Sequence, residues 1–301
     1  MISAEKFEML KSGGILPAPH GSAIKIMELC DRENATLPQI IMVLQTDPAL
    51  VGKILKIANS PSFRRNRPVA AISANVLMSI GIKSIRKMVL GFSLINSYRG
   101  GKCKKLDYDL FWAHSMLCGI ALQLLGGILS IAPVSELFTV GLLSNVGQLA
   151  LAELYPDRYA VLLENSAGMD DLAEMEKQAF EFSSHELASA MLQDWGLPDL
   201  FVRSVEHFMN PQASGEKPDS RIMRLMESLM IATRLSISSF WPDDARLEEF
   251  GKLADRASKL GVSGKDFVNL VDDMIGEWPQ WASLMEIQAR DIRPLAELIG
   301  S

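Results

Sequence analysis

Residues 116–132 read MLCGIALQLLGGILSIA, and beyond Pro133 residues 134–154 continue VSELFTVGLLSNVGQLALAEL. Both runs are apolar nearly all round and show none of the strict alternation of a half-buried strand, so both are read as helices at the centre of a helical domain. The first is at the short limit of the ~17–25 residues that a membrane-spanning helix needs, and it carries Gln123 and three glycines. Core helices are therefore predicted rather than membrane spans.

Outward from this pair, almost every segment carries a helix signal, and the fold class is all-α. Thr36, with Pro38 behind it, opens a helix to about Gln45. Asp47 caps a second helix with Pro48 at its first position, where proline's missing N–H would be unbonded anyway. Further helices are predicted at 73–80, ended by Gly81, then at 83–97, 108–129 and, unbroken, 134–154. Pro156 opens the next. Others follow at 170–180, 184–195, 198–208, 220–240, 245–260 and 263–275, with a last one after Pro279. MNPQASGEKPD, residues 209–219, is the one linker-like stretch.

With 301 residues the chain can bury a large core without disulfides or metals. Its 48% hydrophobic and 22% charged residues exclude disordered, collagenous and disulfide-scaffold classes. Cys30, Cys103 and Cys118 lie far apart with no CxxC pair, which suits a reducing compartment. The opening MISAEKFEML has no basic n-region before an apolar core, so a cytoplasmic protein is expected.

The net charge of −6 hides an uneven distribution. Residues 48–106 contain 12 Lys and Arg and no Asp or Glu, whereas residues 107–301 contain 14 basic and 30 acidic residues. Such a basic third is either a solvated face balanced by the acidic remainder or a surface for an acidic partner. The helix pair at 37–58 has the spacing of a helix-turn-helix but not the chemistry to read DNA. Its second helix begins Pro48-Ala49-Leu50-Val51-Gly52, which offers base edges no hydrogen bonds, leaving Lys53 and Lys56 for at most non-specific contact with phosphates.

Catalytic signatures are sparse. There is no GxSxG elbow, no phosphate-binding glycine loop, no GxGxxG and no HExxH spacing. His114, His185 and His207 fall on separate predicted helices and could converge, with Glu186, Glu206 and Asp194 near them in sequence, or could each be an ordinary hydrogen-bonded residue.

The motifs taken together resemble the HDOD domain, a bacterial signalling module related to the HD metal-dependent phosphohydrolases. The resemblance is carried by Leu16-Pro17 with Pro19, by DPAL at 47–50 followed by ILKIANS at 54–60, by AIS at 71–73 with Ile80-Gly81, and by FWAHS at 111–115. It continues through FTVGLL at 138–143 with Val146-Gly147, HELA at 185–188, WGLP at 195–198 and His207, spanning roughly residues 15–210. It implies an HD-like helical domain with an N-terminal helical subdomain and extra C-terminal helices. The divisions expected are 1–106 for the basic helical part, 107–210 for the HD-like core, 211–220 for the linker and 221–301 for the C-terminal helices.

The resemblance also bears on catalysis. In the hydrolytic relatives a His-Asp doublet follows the Gly-Leu-Leu run and holds the metal; here those positions are Ser144 and Asn145. Serine is a poor ligand, and an Asn amide brings no negative charge to bind a divalent cation or acidify its water. No enzyme activity or cofactor is expected, and His114, Ser144, Asn145, His185 and His207 stand as satisfied core groups, a vestigial small-ligand site or, least of all, a weak metal site. The function expected is a non-catalytic signal-transduction or scaffold module that binds a signalling protein, with Arg64, Arg65, Arg67, Lys83, Arg86 and Lys87 as its candidate docking residues. The alternatives are a degenerate phosphohydrolase that binds a nucleotide or cyclic dinucleotide, and nucleic-acid attachment through residues 53–105. No membrane partner is expected.

Overall fold

In the computed structural model, the residues described are 2–18, 22–31, 36–59, 68–284, 287 and 290–300. No strand occurs among them. The N-terminal third is built from α1 (Ala4–Ser12), α2 (Ser22–Asp31), α3 (Leu37–Leu44), α4 (Pro48–Ala58), α5 (Ala74–Ile80) and α6 (Ile82–Ser97). The centre follows as α7 (Tyr108–Leu129), α8 (Val134–Leu143), α9 (Val146–Leu154), α10 (Pro156–Asn165), α11 (Met169–Phe180), α12 (Ser184–Asp194) and α13 (Asp199–His207). After a 3-10 turn at Pro211–Ser214 come α14 (Arg221–Ser238), α15 (Asp243–Lys259), α16 (Gly264–Leu284) and α17 (Leu295–Ile299).

The predicted caps set these boundaries. Asp47 accepts a hydrogen bond from Leu50 N at 3.1 Å and so begins α4 with Pro48 in place. Ser73 accepts from Val76 N, and Gly81 ends α5 at φ 92°. Ser183 and Glu186 form a reciprocal box at the start of α12: Ser183 Oγ accepts from Glu186 N at 3.3 Å, and Glu186 Oε2 accepts from Ser183 N at 2.9 Å.

The core is centred on α7, which packs against α8, α14 and α16. Its apolar window is 78% buried inside the fold, and that of residues 136–154 is 83% buried, so both membrane-length apolar runs are interior helices. Close approach is possible because α7 and α8 meet at glycines. A Cβ on Gly141 would lie 2.7 Å from Cys118 O and 2.8 Å from Gly119 Cα, leaving no room for a side chain. Burying one large apolar side chain here contributes about 1.5–3 kcal/mol.

Two helix expectations are corrected. The run 134–154 is broken into α8 and α9 at Ser144 and Asn145, because Asn145 sits at φ −103°, ψ 10°, outside the helical well. Further along, α16 does not stop near Ile275 but runs through Pro279 to Leu284. The proline costs a backbone bond in the helix interior. Tryptophans on either side hold the helix together. Trp278 and Trp281 are both buried, Trp278 Nε1 donates to Arg290 O at 3.1 Å, and Trp281 stacks on Phe138 at 5.1 Å.

The expectation that Lys53 and Lys56 could face phosphates is also overturned. Lys53 is 1% exposed, donates to Asn96 Oδ1 at 2.8 Å and lies over the Phe92 ring. Lys56 is half-buried over Trp281, 4.5 Å from the ring centre, and burial lowers its ammonium to about 8. Both point into the protein, gripped by aromatic faces of α6 and α16.

Candidate functional site

The break between α8 and α9 sends its two residues in different directions. Ser144 is fully buried; its hydroxyl donates to Gly141 O at 2.9 Å and lies 3.9 Å from Cys118 Sγ, which in turn lies 3.5 Å from Thr233 Oγ1 of α14. Burial raises the Cys118 thiol to about 11, so it stays protonated. Ser144 thus closes a small buried polar chain.

Asn145 instead lines a cleft of about 250 Å³. His114 of α7 and Gln148 of α9 share its wall, Lys105 and Asp107 stand on the loop before α7, and Leu110, Phe111, Leu163, Met169 and Ile237 supply the apolar surface. Asn145 is 7% exposed, and its Oδ1 is buried without a hydrogen-bond partner. His114 faces Phe240 with ring centres 5.5 Å apart. Burial, reinforced by the positive charge of Arg290, lowers the imidazole to about 4, so it is neutral at pH 7. The charges at the mouth are paired: Lys105 with Glu164 at 2.5 Å, and Asp107 with Arg290 at 3.8 Å.

The other two histidines do not join this cleft. His185, on the first turn of α12, is 4% exposed, meets Phe208 edge-on at 4.9 Å, and has a buried Nε2 without a partner. Burial lowers it to about 4 as well. His207 ends α13, 3.6 Å from Glu206 Oε2, and lines a separate cleft of about 520 Å³ between α1 and the pair α12 and α13. Among the described residues no group of three or more His, Cys, Asp or Glu is gathered closely enough to hold a metal ion. At the doublet position, Ser144 is turned into the core and Asn145 is a neutral amide, so neither brings a charged oxygen for a divalent cation.

Of the candidate docking residues, Arg64, Arg65 and Arg67 lie outside the described residues, as do the side chains of Lys83 and Lys87. Arg86 has a structural role: its guanidinium donates to Trp195 O at 2.8 Å, tying α6 to the loop between α12 and α13. Gln148, Phe240 and Arg290 were not singled out in the sequence. Gln148 could have been, since it lies three residues after Asn145 and hence on the same helix face. Phe240 and Arg290 reach the site from about 100 residues or more away along the chain, with no local signal.

A glycine-packed central pair of helices, with an imidazole on the first and a break at the doublet position, defines an all-helical domain of the HD type. The chain belongs to the HDOD domain family, whose sequence pattern matches residues 16–211. It is 30% identical to the MmoQ response regulator of Methylococcus capsulatus str. Bath, covering 85% of this chain and 97% of that one at a TM-score of 0.53. A Geobacter sulfurreducens HDOD domain protein of unknown function shares the fold at 16% identity, covering 94% and 97% of the two chains, with a TM-score of 0.61. So does a protein of Shewanella amazonensis SB2B provisionally named a phosphohydrolase, at 21% identity, 95% and 99% coverage and a TM-score of 0.67. An uncharacterized protein of Treponema pallidum (strain Nichols) is 24% identical over 207 residues, and the chain spans 39% of that curated relative's length.

Proposed function

We propose that the chain is a non-catalytic signal-transduction module of the cytoplasm that works by binding a protein partner. The carrying observation is Asn145, a neutral amide at the position where the hydrolytic relatives place a metal-binding aspartate, with Ser144 beside it turned into the core. A hydrolytic metal must be held by charge and must acidify a water, and neither residue supplies charge. Membership of the HDOD family and the 30% identity to a response regulator favour a signalling role.

The partner proposed is an acidic protein. Residues 48–106 hold no carboxylate, and of their 12 cations Lys53 and Lys56 are turned inward, Arg86 is engaged with Trp195 and Lys105 is paired with Glu164; of the other eight, Arg64, Arg65, Arg67, Lys83 and Lys87 are taken as the docking residues, with Arg99, Lys102 and Lys104 further along the chain. Two measurements test the reading. Assayed with Mn2+ on phosphodiester and nucleotide substrates, the protein should show no turnover above background, and turnover that disappears in His114→Ala would overturn the non-catalytic assignment. Reversing Arg64, Arg65 and Arg67 to Glu should abolish capture of the acidic partner, whereas unchanged capture would remove the docking assignment.

A further inference from the structure

We infer that the His114 and Asn145 cleft binds a small, uncharged nitrogen heterocycle of the nucleobase class, without phosphate, as the signal this module reads. The inference rests on the non-catalytic reading of the same site and goes beyond it by naming a ligand.

The size of the cleft is the first argument. At about 250 Å³ it is smaller than the roughly 300–1,000 Å³ of sites for drug-sized molecules, which suits a one- or two-ring compound. Its surface is the second. Apolar side chains from four helices surround three converging polar groups, the pattern of an orienting small-molecule site. All three, His114, Asn145 and Gln148, are uncharged at pH 7.

Charge decides against a phosphorylated ligand. Lys105, the one cation among the described lining residues, is already paired with Glu164, and Asp107 of the same wall is paired with Arg290. A phosphate would have to displace Glu164 and approach Asp107. A neutral ring meets neither obstacle.

The amides then select the chemistry of the ring. A carboxamide presents a donor and an acceptor side by side, the combination with which Asn and Gln read the edge of a base. Asn145 Oδ1 is buried below the cleft surface without a hydrogen-bond partner, so the amide that a base edge can reach is that of the partly buried Gln148. The neutral imidazole of His114 contributes one donor and one acceptor, and Phe111 adds an aromatic surface to the same lining.

Calorimetry on the full chain tests this with five nucleobases, their nucleosides and their 5′-monophosphates. At least one base or nucleoside should bind, its monophosphate should bind at least tenfold more weakly, and Gln148→Leu, at a partly buried position and with its folding checked by thermal melting, should weaken binding at least tenfold. Absence of heat from every base and nucleoside would overturn the inference, as would a monophosphate that binds as tightly as its base. The Mn2+ assay on the same preparation separates the two readings: turnover removes the non-catalytic module, whereas missing heat without turnover removes only the ligand.

Discussion

Two polar regions lie on either side of α9, and they are finished differently. Beneath α12, Glu176 of α11 is completely buried, accepts from Tyr159 Oη at 3.0 Å and from Ser184 N at 2.6 Å, and ties α10 and α11 to the start of α12. Burial raises this carboxyl above the usual range, but the two donors and the positive end of α12 offset that penalty. On the other side, two residues before Gly147, Asn145 lines the cleft, its Oδ1 buried and unpaired. Gly147 marks the divide: a Cβ there would run into the Ser184 carbonyl and come within 2.9 Å of Ala188 N, so α9 lies directly on α12. The closed region builds the fold, while the open one is left for something to enter.

Substitutions should widen that contrast. The largest effect is expected in the closed region, where Glu176→Ala leaves the Tyr159 hydroxyl and the Ser184 N–H buried without an acceptor and should cost about 2–5 kcal/mol in urea unfolding. Glu176→Gln, which keeps one carbonyl oxygen, should cost less than half as much, and equal losses would show that the hydrogen bonds are not what Glu176 contributes.

His185 gives the next effect. It is buried at the start of α12, with its folded value at about 4 against an ordinary 6.5. A lowered histidine stabilises above the unfolded value, and that contribution fades as the pH falls from about 6.5 through 4. The separation corresponds to about 3 kcal/mol. Melting followed from pH 7.5 to pH 4 should fall steeply in the native protein and distinctly less in His185→Leu. Superimposable profiles would show that His185 does not govern the acid limb.

The smallest effect is expected in the open cleft. Asn145→Leu removes an unsatisfied oxygen rather than a working bond, so stability should change by less than about 1 kcal/mol in either direction. A loss comparable to that of Glu176→Ala would place Asn145 among the structural groups and erase the contrast.

How far each region could be read from residues alone follows the same division. Helix starts were legible wherever one side chain decides them, as at Asp47-Pro48, Ser73 and Tyr155-Pro156. The interruption at Ser144 and Asn145 was not, since their apolar flanks give a continuous helical pattern and the bend is imposed by packing on α7 and α12. At Pro279 the error ran the other way, with tertiary burial of Trp278 and Trp281 outweighing a local breaker. Helices α1 and α2 carried no motif and went unread. In the cleft, Asn145 emerged through the family resemblance, whereas the partners of His114 at Phe240 and Arg290 are brought in only by the tertiary fold.

The glycine-lined contact of α7 with α8 also bears on how the chain is made. α7 and the run 136–154 shared by α8 and α9 have the length and hydropathy of membrane spans, and the cover of α7 and α8 in the finished fold includes α14 and α16, which begin at residues 221 and 264. At the roughly 5–20 residues per second of synthesis, α7 leaves the ribosome about 5–20 s before the start of α14. During that interval the nascent protein presents a hairpin that insertion machinery or a chaperone would recognise as readily as a membrane segment. Covering that apolar surface falls to α14 and α16, the helices made last of those that pack on α7.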